Sequence, residues 1–410
     1  MAWLLRCMVP TFTTGKEVAS AAFGKRHAMI DDIASLGPVR NGIDVLAADD
    51  FEVLRDRRVA LVTNHTGRTL TGMRTVDALM RAPEVRLDVL FSPEHGLDGT
   101  YEERVSDSLD AATNLPVFSL FGERVTPSPE QLADIDVLLY DIQDVGARFY
   151  TYISTLGYAL EACAESHVEM FVLDRPNPIG GFDVEGPCSD AASESFTAYH
   201  SLPLRHGMTV GELSRLFNAE RSIGADLRVV TMAGWQRSYW FDNCGQTWVD
   251  PSPNIRDLQA AALYPGLGLL EGTNVSVGRG TTEPFHVIGA PWIDGSHLKA
   301  ALDKHELPGL TFEVCEFTPN DARHPHHGLR CRGVGFVVSE KEVVLPSELA
   351  LALIRELRAL YPEDWHYRDL GPLLARPDLL DAIEDGAEEL DELWEPDPEF
   401  FEARARAMLY

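Results

Sequence analysis

From Gly42 onward, short apolar runs alternate with segments of helical period, and polar turns rich in Gly and Pro separate them. The runs at 58–64, 86–91, 116–121, 137–140, 170–173 and 227–232 have strand length. Helical patterns lie between them at 73–81, 129–133 and 150–166. The strands are apolar at consecutive positions instead of alternating, as strands covered on both faces are. With a helix in most connections, this predicts an α/β fold built on a parallel sheet with helices on both faces.

A helix is expected from Val210, with Thr209 as N-cap and Glu212 three residues on completing a capping box. Beyond Trp235 the texture becomes loop-rich, with Trp240, Trp248 and the rigid Pro-Ser-Pro-Asn at 251–254. Strands near 310–314 and 333–338 and helices near 347–360 and 400–409 predict a second, smaller α/β domain. The division is an N-terminal extension at 1–40, the main domain at 41–232 and the smaller C-terminal domain at 233–410.

The polar residues fall in a regular place. Asn64-His65, Glu94-His95, Asp141 with Gln143 and Asp144, and Asp174-Arg175 each follow directly on an apolar strand. One Asp or Asn after a strand commonly caps the next helix. Four such clusters, three carrying an adjacent His or Arg and the fourth a second acid, point instead to a site along one sheet edge, where open parallel sheets bind ligands.

Composition narrows the class. Asp and Glu number 64 against 35 Lys and Arg, a formal net charge of −29. A phosphate backbone or an anionic membrane would be repelled by that field, so neither is an expected partner. Only five of the basic residues are Lys, a bias that suits either a salty cytoplasm or a GC-rich genome. The six cysteines lack any Cys-x-x-Cys pair and read as reduced thiols. No run has transmembrane length, and Arg6 interrupts the apolar opening, so the expected location is cytoplasmic.

Cofactor motifs are weak. Gly266-Leu267-Gly268 does not follow a first strand, so NAD is not expected. Gly278-Arg279-Gly280-Thr281-Thr282 lacks the Lys-Ser/Thr ending of a P-loop and reads as a loop for a carboxylate or sugar, or as a tight turn. His324, His326 and His327 have no carboxylate or Cys at helical spacing and read as a solvated loop, not a zinc site. No metal or cofactor is expected.

Carboxylates are the richer signal: Glu94, Asp141, Asp144, Asp174, Glu185 and Glu271 all sit in polar segments flanked by Gly or Pro. Glycoside hydrolysis needs a protonated carboxyl group for the leaving oxygen and an ionised one as base or nucleophile. Glu94, between Pro93 and His95 at a strand end, is the first choice for the acid, with His95 and Asp144 supporting it. Asp141, Glu185 and Glu271 remain open as its partner.

A set of longer motifs resembles a known family. They are Ser-Pro-Glu-His-Gly (92–96), Asp-Ile-Gln-Asp-Val-Gly-Ala-Arg-Phe-Tyr-Thr-Tyr (141–152), Leu-Asp-Arg-Pro-Asn-Pro (173–178), Glu-Gly-Pro (185–187), Arg-His-Gly-Met-Thr (205–209), Pro-Ser-Pro-Asn (251–254), Glu-Gly-Thr-Asn (271–274) and Gly-Arg-Gly-Thr-Thr-Glu-Pro-Phe (278–285). In this order they resemble the exo-β-N-acetylmuramidase family, long classed as a domain of unknown function. The resemblance implies a Rossmann-like domain joined to the smaller one, and release of terminal N-acetylmuramic acid from the non-reducing end of peptidoglycan fragments, a small glycan or muropeptide.

The lactyl carboxylate of that sugar would suit Arg148, Arg175 or Arg279. Asn64, Gln143, Asn177 and Asn274 are the candidates for reading sugar hydroxyls, and Tyr150, Asn254 and Glu271 complete the expected binding set. Two stretches depart from the family pattern: Thr-Tyr-Glu-Glu-Arg after Gly99, and residues 319–332 with the His cluster. The alternatives are a sugar-binding protein without turnover, a lyase on the same substrate, and a metal-dependent hydrolase.

Overall fold

The apolar runs pair into one sheet: β1 (Arg58–Thr63), β2 (Arg86–Ser92), β3 (Ser108–Leu109), β4 (Pro116–Ser119), β5 (Val137–Asp141), β6 (Glu169–Leu173) and β7 (Leu227–Val230). Their order is β3-β4-β2-β1-β5-β6-β7, and every neighbouring pair is parallel except β3 with β4. The computed structural model describes residues 37–100, 106–386 and 390–410. The extension expected at 1–40 falls, as far as residue 36, outside them, as do residues 101–104 of the first departing stretch.

Period-two side-chain alternation divides each run between two layers. Ala60, Val62, Leu138, Tyr140, Met170 and Val172 enter one apolar cluster, and Val59, Leu61, Val137, Leu139, Phe171 and Leu173 enter another. Helices α1 (Gly42–Ala48) and α2 (Thr75–Arg81) cover the second through Ile43, Leu46, Val76 and Leu79. Helices α3 (Pro129–Leu132), α4 (Tyr152–Ser166) and α5 (Val210–Glu220) cover the first, with Leu132, Leu156, Leu160 and Phe217 in its core. The capping box predicted for α5 forms between Thr209 and Glu212.

The remainder carries α6 (Leu258–Leu267), an antiparallel sheet of β8 (Val287–Ala290), β9 (Leu310–Phe317) and β10 (Cys331–Val338) in the order β8-β10-β9, and helices α7 (Gly295–Leu302) and α8 (Pro346–Leu360). The first apolar cluster continues into it through Leu263, Ile288, Val334, Leu349 and Leu353. Residues Pro38–Tyr410 accordingly form one compact unit. Helix α6 and strand β8 carry no sequence expectation, because α6 is apolar around its whole circumference with Pro265 inside it, and β8 is only four residues long.

Connectivity fixes where a ligand can enter. From β1 the chain moves outward to β2, then returns to β5 on the other flank of β1, and the crevice outside the carboxyl ends of β1 and β5 is the switch point at which such sheets bind ligands. A cavity of about 340 Å³ opens there, lined by Thr66, Arg68, Gln143, Arg175 and Trp248 among others.

Beneath that crevice lies a buried ion pair. Arg175 Nε and Nη2 donate to Asp141 Oδ1 and Oδ2 at 2.6 and 3.0 Å, with Asp141 fully enclosed. The Thr75 hydroxyl donates to Asp141 Oδ2, and Arg175 Nη2 reaches the Arg68 carbonyl at 2.8 Å. Removing one member leaves a buried charge without its counter-ion. Arg175→Met is therefore expected to destabilise the protein by about 3–5 kcal/mol in denaturant unfolding. Adding Asp141→Asn should restore a large part of that loss, and unfolding midpoints of the two single variants and the double variant read it directly.

Candidate active site

The strand ends deliver a connected polar group. Asn64, after β1, accepts from the Thr66 amide (2.9 Å) and hydroxyl (2.6 Å) through Oδ1. Its Nδ2 is buried with no hydrogen-bond partner. Glu94, in the turn after β2, is half-buried, and its Oε2 accepts from the Thr151 hydroxyl at 2.5 Å. His95 is buried with φ +70°, a left-handed conformation that a side chain adopts only when its surroundings impose it.

His65 packs against the same turn at Gly99. Its Nε2 bonds to the Asp250 carbonyl at 2.6 Å, and its ring lies where a Cβ on Gly99 would sit, 1.9 Å away. Gly99 itself has φ +69°, so the turn closes only because that position is glycine. Burial lowers the His65 pKa, which keeps the ring neutral there.

Above the turn stand three phenols. Tyr150 packs edge-on against Tyr152 (4.7 Å between centroids) and Tyr264 (5.9 Å). The Tyr152 hydroxyl donates to the Pro251 carbonyl at 3.0 Å, which brings the Pro-Ser-Pro-Asn segment and the buried Asn254 to this edge. Burial raises the Tyr264 hydroxyl well above its ordinary range. Glu271 raises it further, Arg279 opposes, and Glu94 and Asp144 add to the rise, so these four charges surround one ring. Arg279 Nη1 and Glu271 Oε1 are 2.5 Å apart, each about three-quarters buried.

Asp144 is held from one side. Its Oδ2 accepts from the Gly146 amide at 2.8 Å and lies 3.3 Å from His206 Nε2. The Asp144 Oδ1 atom is buried and has no hydrogen-bond partner. An acceptor left so costs about 1–3 kcal/mol, more for a charged group, and such a deficit is retained where a ligand supplies the donor.

Several expected site residues have structural duties instead. Asp141 is closed within the Arg175 pair described above and offers no free oxygen to a substrate. Glu185 is buried, accepts from Arg205 Nη1 at 2.5 Å and from the Ser347 amide at 3.2 Å, and so anchors the first turn of α8. Arg148 is 1% exposed and donates to the carbonyls of Pro187, Leu202, Leu373 and Leu374 at 2.7–3.0 Å, which corrects its expected role as a carboxylate clamp. Burial pushes its guanidinium pKa down to about 10.

Two asparagines are likewise committed. Asn177 donates to the Met208 carbonyl (3.0 Å) and accepts from the Ile179 amide (3.2 Å). Asn274 donates to the Asp364 carbonyl (2.7 Å) and accepts from the His366 amide (2.8 Å). Gln143 and Arg175 line the 340 Å³ cavity, with the Gln143 amide donating to the carbonyls of Asp144 and Pro176. His326 Nε2 bonds to the Asn274 carbonyl at 2.7 Å, which sets the His-bearing loop beside Glu271 and Arg279. Among the described residues no three His, Cys, Asp or Glu side chains converge as a metal requires.

Comparison with known proteins places this arrangement. Residues 59–259 match the family model described as exo-beta-N-acetylmuramidase NamZ, N-terminal, and residues 262–410 match its C-terminal counterpart. The chain belongs to the NamZ exo-β-N-acetylmuramidase family. It is 43% identical over 335 residues to the peptidoglycan beta-N-acetylmuramidase NamZ of Bacillus subtilis (strain 168), covering 81% of this chain and 80% of that one. Two crystal structures of DUF1343 family proteins from Bacteroides fragilis NCTC 9343 superpose with TM-scores of 0.84 and 0.73 at 34% and 30% identity. Each covers 91% of this chain and 99% of its own. The NamZ fold is thus the α/β architecture with a second, smaller part that the strand pattern predicts.

Within this NamZ chain, Thr151, Tyr264 and His206 join the polar group without having been picked out individually. Tyr264 lies in the uniformly apolar α6 and gives no sequence signal. His206 and Thr151 fall inside two of the family motifs, where the single residue that matters is not marked.

A neighbouring carboxyl group reports on pH. Burial pushes Asp174 up to about 7, against hydrogen bonds from the Tyr410 hydroxyl (2.7 Å), the Gly211 amide (2.8 Å) and the Thr209 hydroxyl (2.8 Å). The folded state holds this proton more tightly than the unfolded chain does. The group's stabilising contribution is therefore present below the ordinary carboxyl range and is lost as pH rises to about 7. Asp174→Asn is expected to remove that dependence, so that between pH 4 and 8 the stability of the variant relative to wild type improves by up to about 4 kcal/mol. Unfolding midpoints at a series of pH values test this.

Proposed function

We propose that the protein is an exo-acting glycoside hydrolase that releases terminal N-acetylmuramic acid from the non-reducing end of peptidoglycan-derived glycans, with Glu94 as the general acid. The observation that carries this reading is the setting of Glu94. It is a half-buried carboxyl group at a parallel-strand end, hydrogen-bonded to Thr151 and bordered by Tyr152 and Tyr264. A carboxyl group so positioned can keep a proton for a leaving oxygen and take one back from water.

His95, held in its left-handed turn, orients Glu94. Asn64 Nδ2 and the Tyr150 hydroxyl, both beside the Tyr152 hydroxyl, read sugar hydroxyls. Of the three arginines considered for the lactyl carboxylate, Arg279 is the one beside Tyr264 and Glu271, and the planar fork of a guanidinium suits that group.

Glu94→Gln should lower kcat on a chromogenic β-glycoside of N-acetylmuramic acid by about 10²–10⁴-fold while sugar binding persists. A wild-type protein that binds the sugar without turnover would overturn the reading. Arg279→Met should raise KM for the lactyl-bearing glycoside by about tenfold and leave an N-acetylglucosamine glycoside nearly unaffected, read from parallel steady-state assays.

A further inference from the structure

Glu94 needs a partner for hydrolysis, and the surrounding carboxylates are unequal. Asp141 is locked to Arg175, Glu185 to Arg205 and the start of α8, and Glu271 to Arg279. None of these three offers a nucleophile without breaking a short ion pair.

Asp144 is different. His206 is fully buried, its Nδ1 accepts from the Met208 amide at 3.2 Å, and its Nε2, which has no hydrogen-bond partner, lies 3.3 Å from Asp144 Oδ2. The Gly146 amide donates to Oδ2 and fixes one side of the carboxylate, and Oδ1 is left as a buried acceptor with no donor. An acceptor-only oxygen enclosed beside Tyr150 and Tyr264 calls for an N–H or O–H from a ligand. N-acetylmuramic acid carries an amide N–H on the carbon next to its anomeric centre.

Resting on the hydrolase reading above, we infer that Asp144 Oδ1 accepts the N–H of the substrate's acetamido group, and that the acetamido carbonyl oxygen supplies the nucleophile. In the first step this oxygen forms a bond to the anomeric carbon as the glycosidic C–O bond breaks, and the Glu94 proton goes to the leaving oxygen. The cyclic oxazolinium so formed keeps its N–H on Asp144. In the second step water attacks the anomeric carbon, the Glu94 carboxylate takes the water proton, and the oxazolinium C–O bond opens to restore the acetamido group. Two displacements return the original configuration, and Glu94 ends protonated as it began.

The test uses the intact wild-type protein. Proton NMR of nitrophenyl β-N-acetylmuramide hydrolysis should show the β-anomer of the free sugar first. With N-fluoroacetyl, N-difluoroacetyl and N-trifluoroacetyl analogues, kcat/KM should fall steeply with each fluorine, because fluorine weakens the attacking carbonyl oxygen. Asp144→Asn should lower kcat by about 10²–10³-fold with a much smaller change in KM. Initial appearance of the α-anomer would overturn the inference and indicate a directly attacking water, and a flat response to fluorine would overturn it and indicate a nucleophile other than the acetamido oxygen. Hydrolysis with inversion would sink this inference alone. Failure of the wild type to cleave any muramic acid glycoside would sink the hydrolase reading as well.

Discussion

The structure depends on how it neutralises charge at the carboxyl ends of its parallel strands. Strands β1, β5 and β6 are buried on both faces, so whatever follows them emerges into an interior of low dielectric where an unpaired ion costs several kcal/mol. The Asp141–Arg175 pair meets this requirement between β5 and β6, and its side arms to Thr75 and the Arg68 carbonyl tie the same spot to α2 and the loop after β1. Farther out, Glu185–Arg205 and Glu212–Arg237 repeat the arrangement at 2.5 Å each. With so many acids committed to holding loops in place, the few polar atoms left without partners become informative.

Three of them, on Asn64, Asp144 and Tyr150, belong to the polar group at the strand ends. Asn64 Nδ2, Asp144 Oδ1 and the turn bearing Glu94 come from β1, β5 and β2, the three strands around the switch point, and Tyr264 closes over them from α6. Such an assembly has its geometry set before a ligand arrives, which is what acid catalysis on a glycoside needs. The Glu271–Arg279 pair, also beyond the sheet, adds charge of both signs to the same edge. The polar strand ends and the side chains that border them thus come from different halves of the chain.

Much of the fold was legible in the residue pattern. Runs such as Val-Leu-Leu-Tyr at 137–140 are of strand length and end in polar residues, as a strand covered twice does, and β1, β2, β4, β5, β6 and β7 all lie where apolar runs predict them. The acids, amides and guanidinium groups at one sheet edge were legible for the same reason, since a polar cluster cannot follow a buried strand without surfacing at its end. What pattern alone could not do was divide those groups by duty. Arg148 and Arg279 look alike as loop arginines, yet one is wrapped by four carbonyls and the other stands beside Glu271 and Tyr264.

Sequence by itself determined the layered α/β architecture, the strand-end placement of Glu94, Asp141 and Asp144, and the family, because periodicity and motif order are local properties that burial enforces residue by residue. Only the tertiary structure decided which carboxylates are spent in ion pairs and which oxygen stays without a donor. Neighbours such as Thr75, Thr151, His206 and Ser347 lie tens to more than a hundred residues from the acids they meet, and no spacing along the chain encodes those meetings. Folding brings them within three ångströms or so of one another, and at that distance a carboxyl group becomes either an anchor or a reagent.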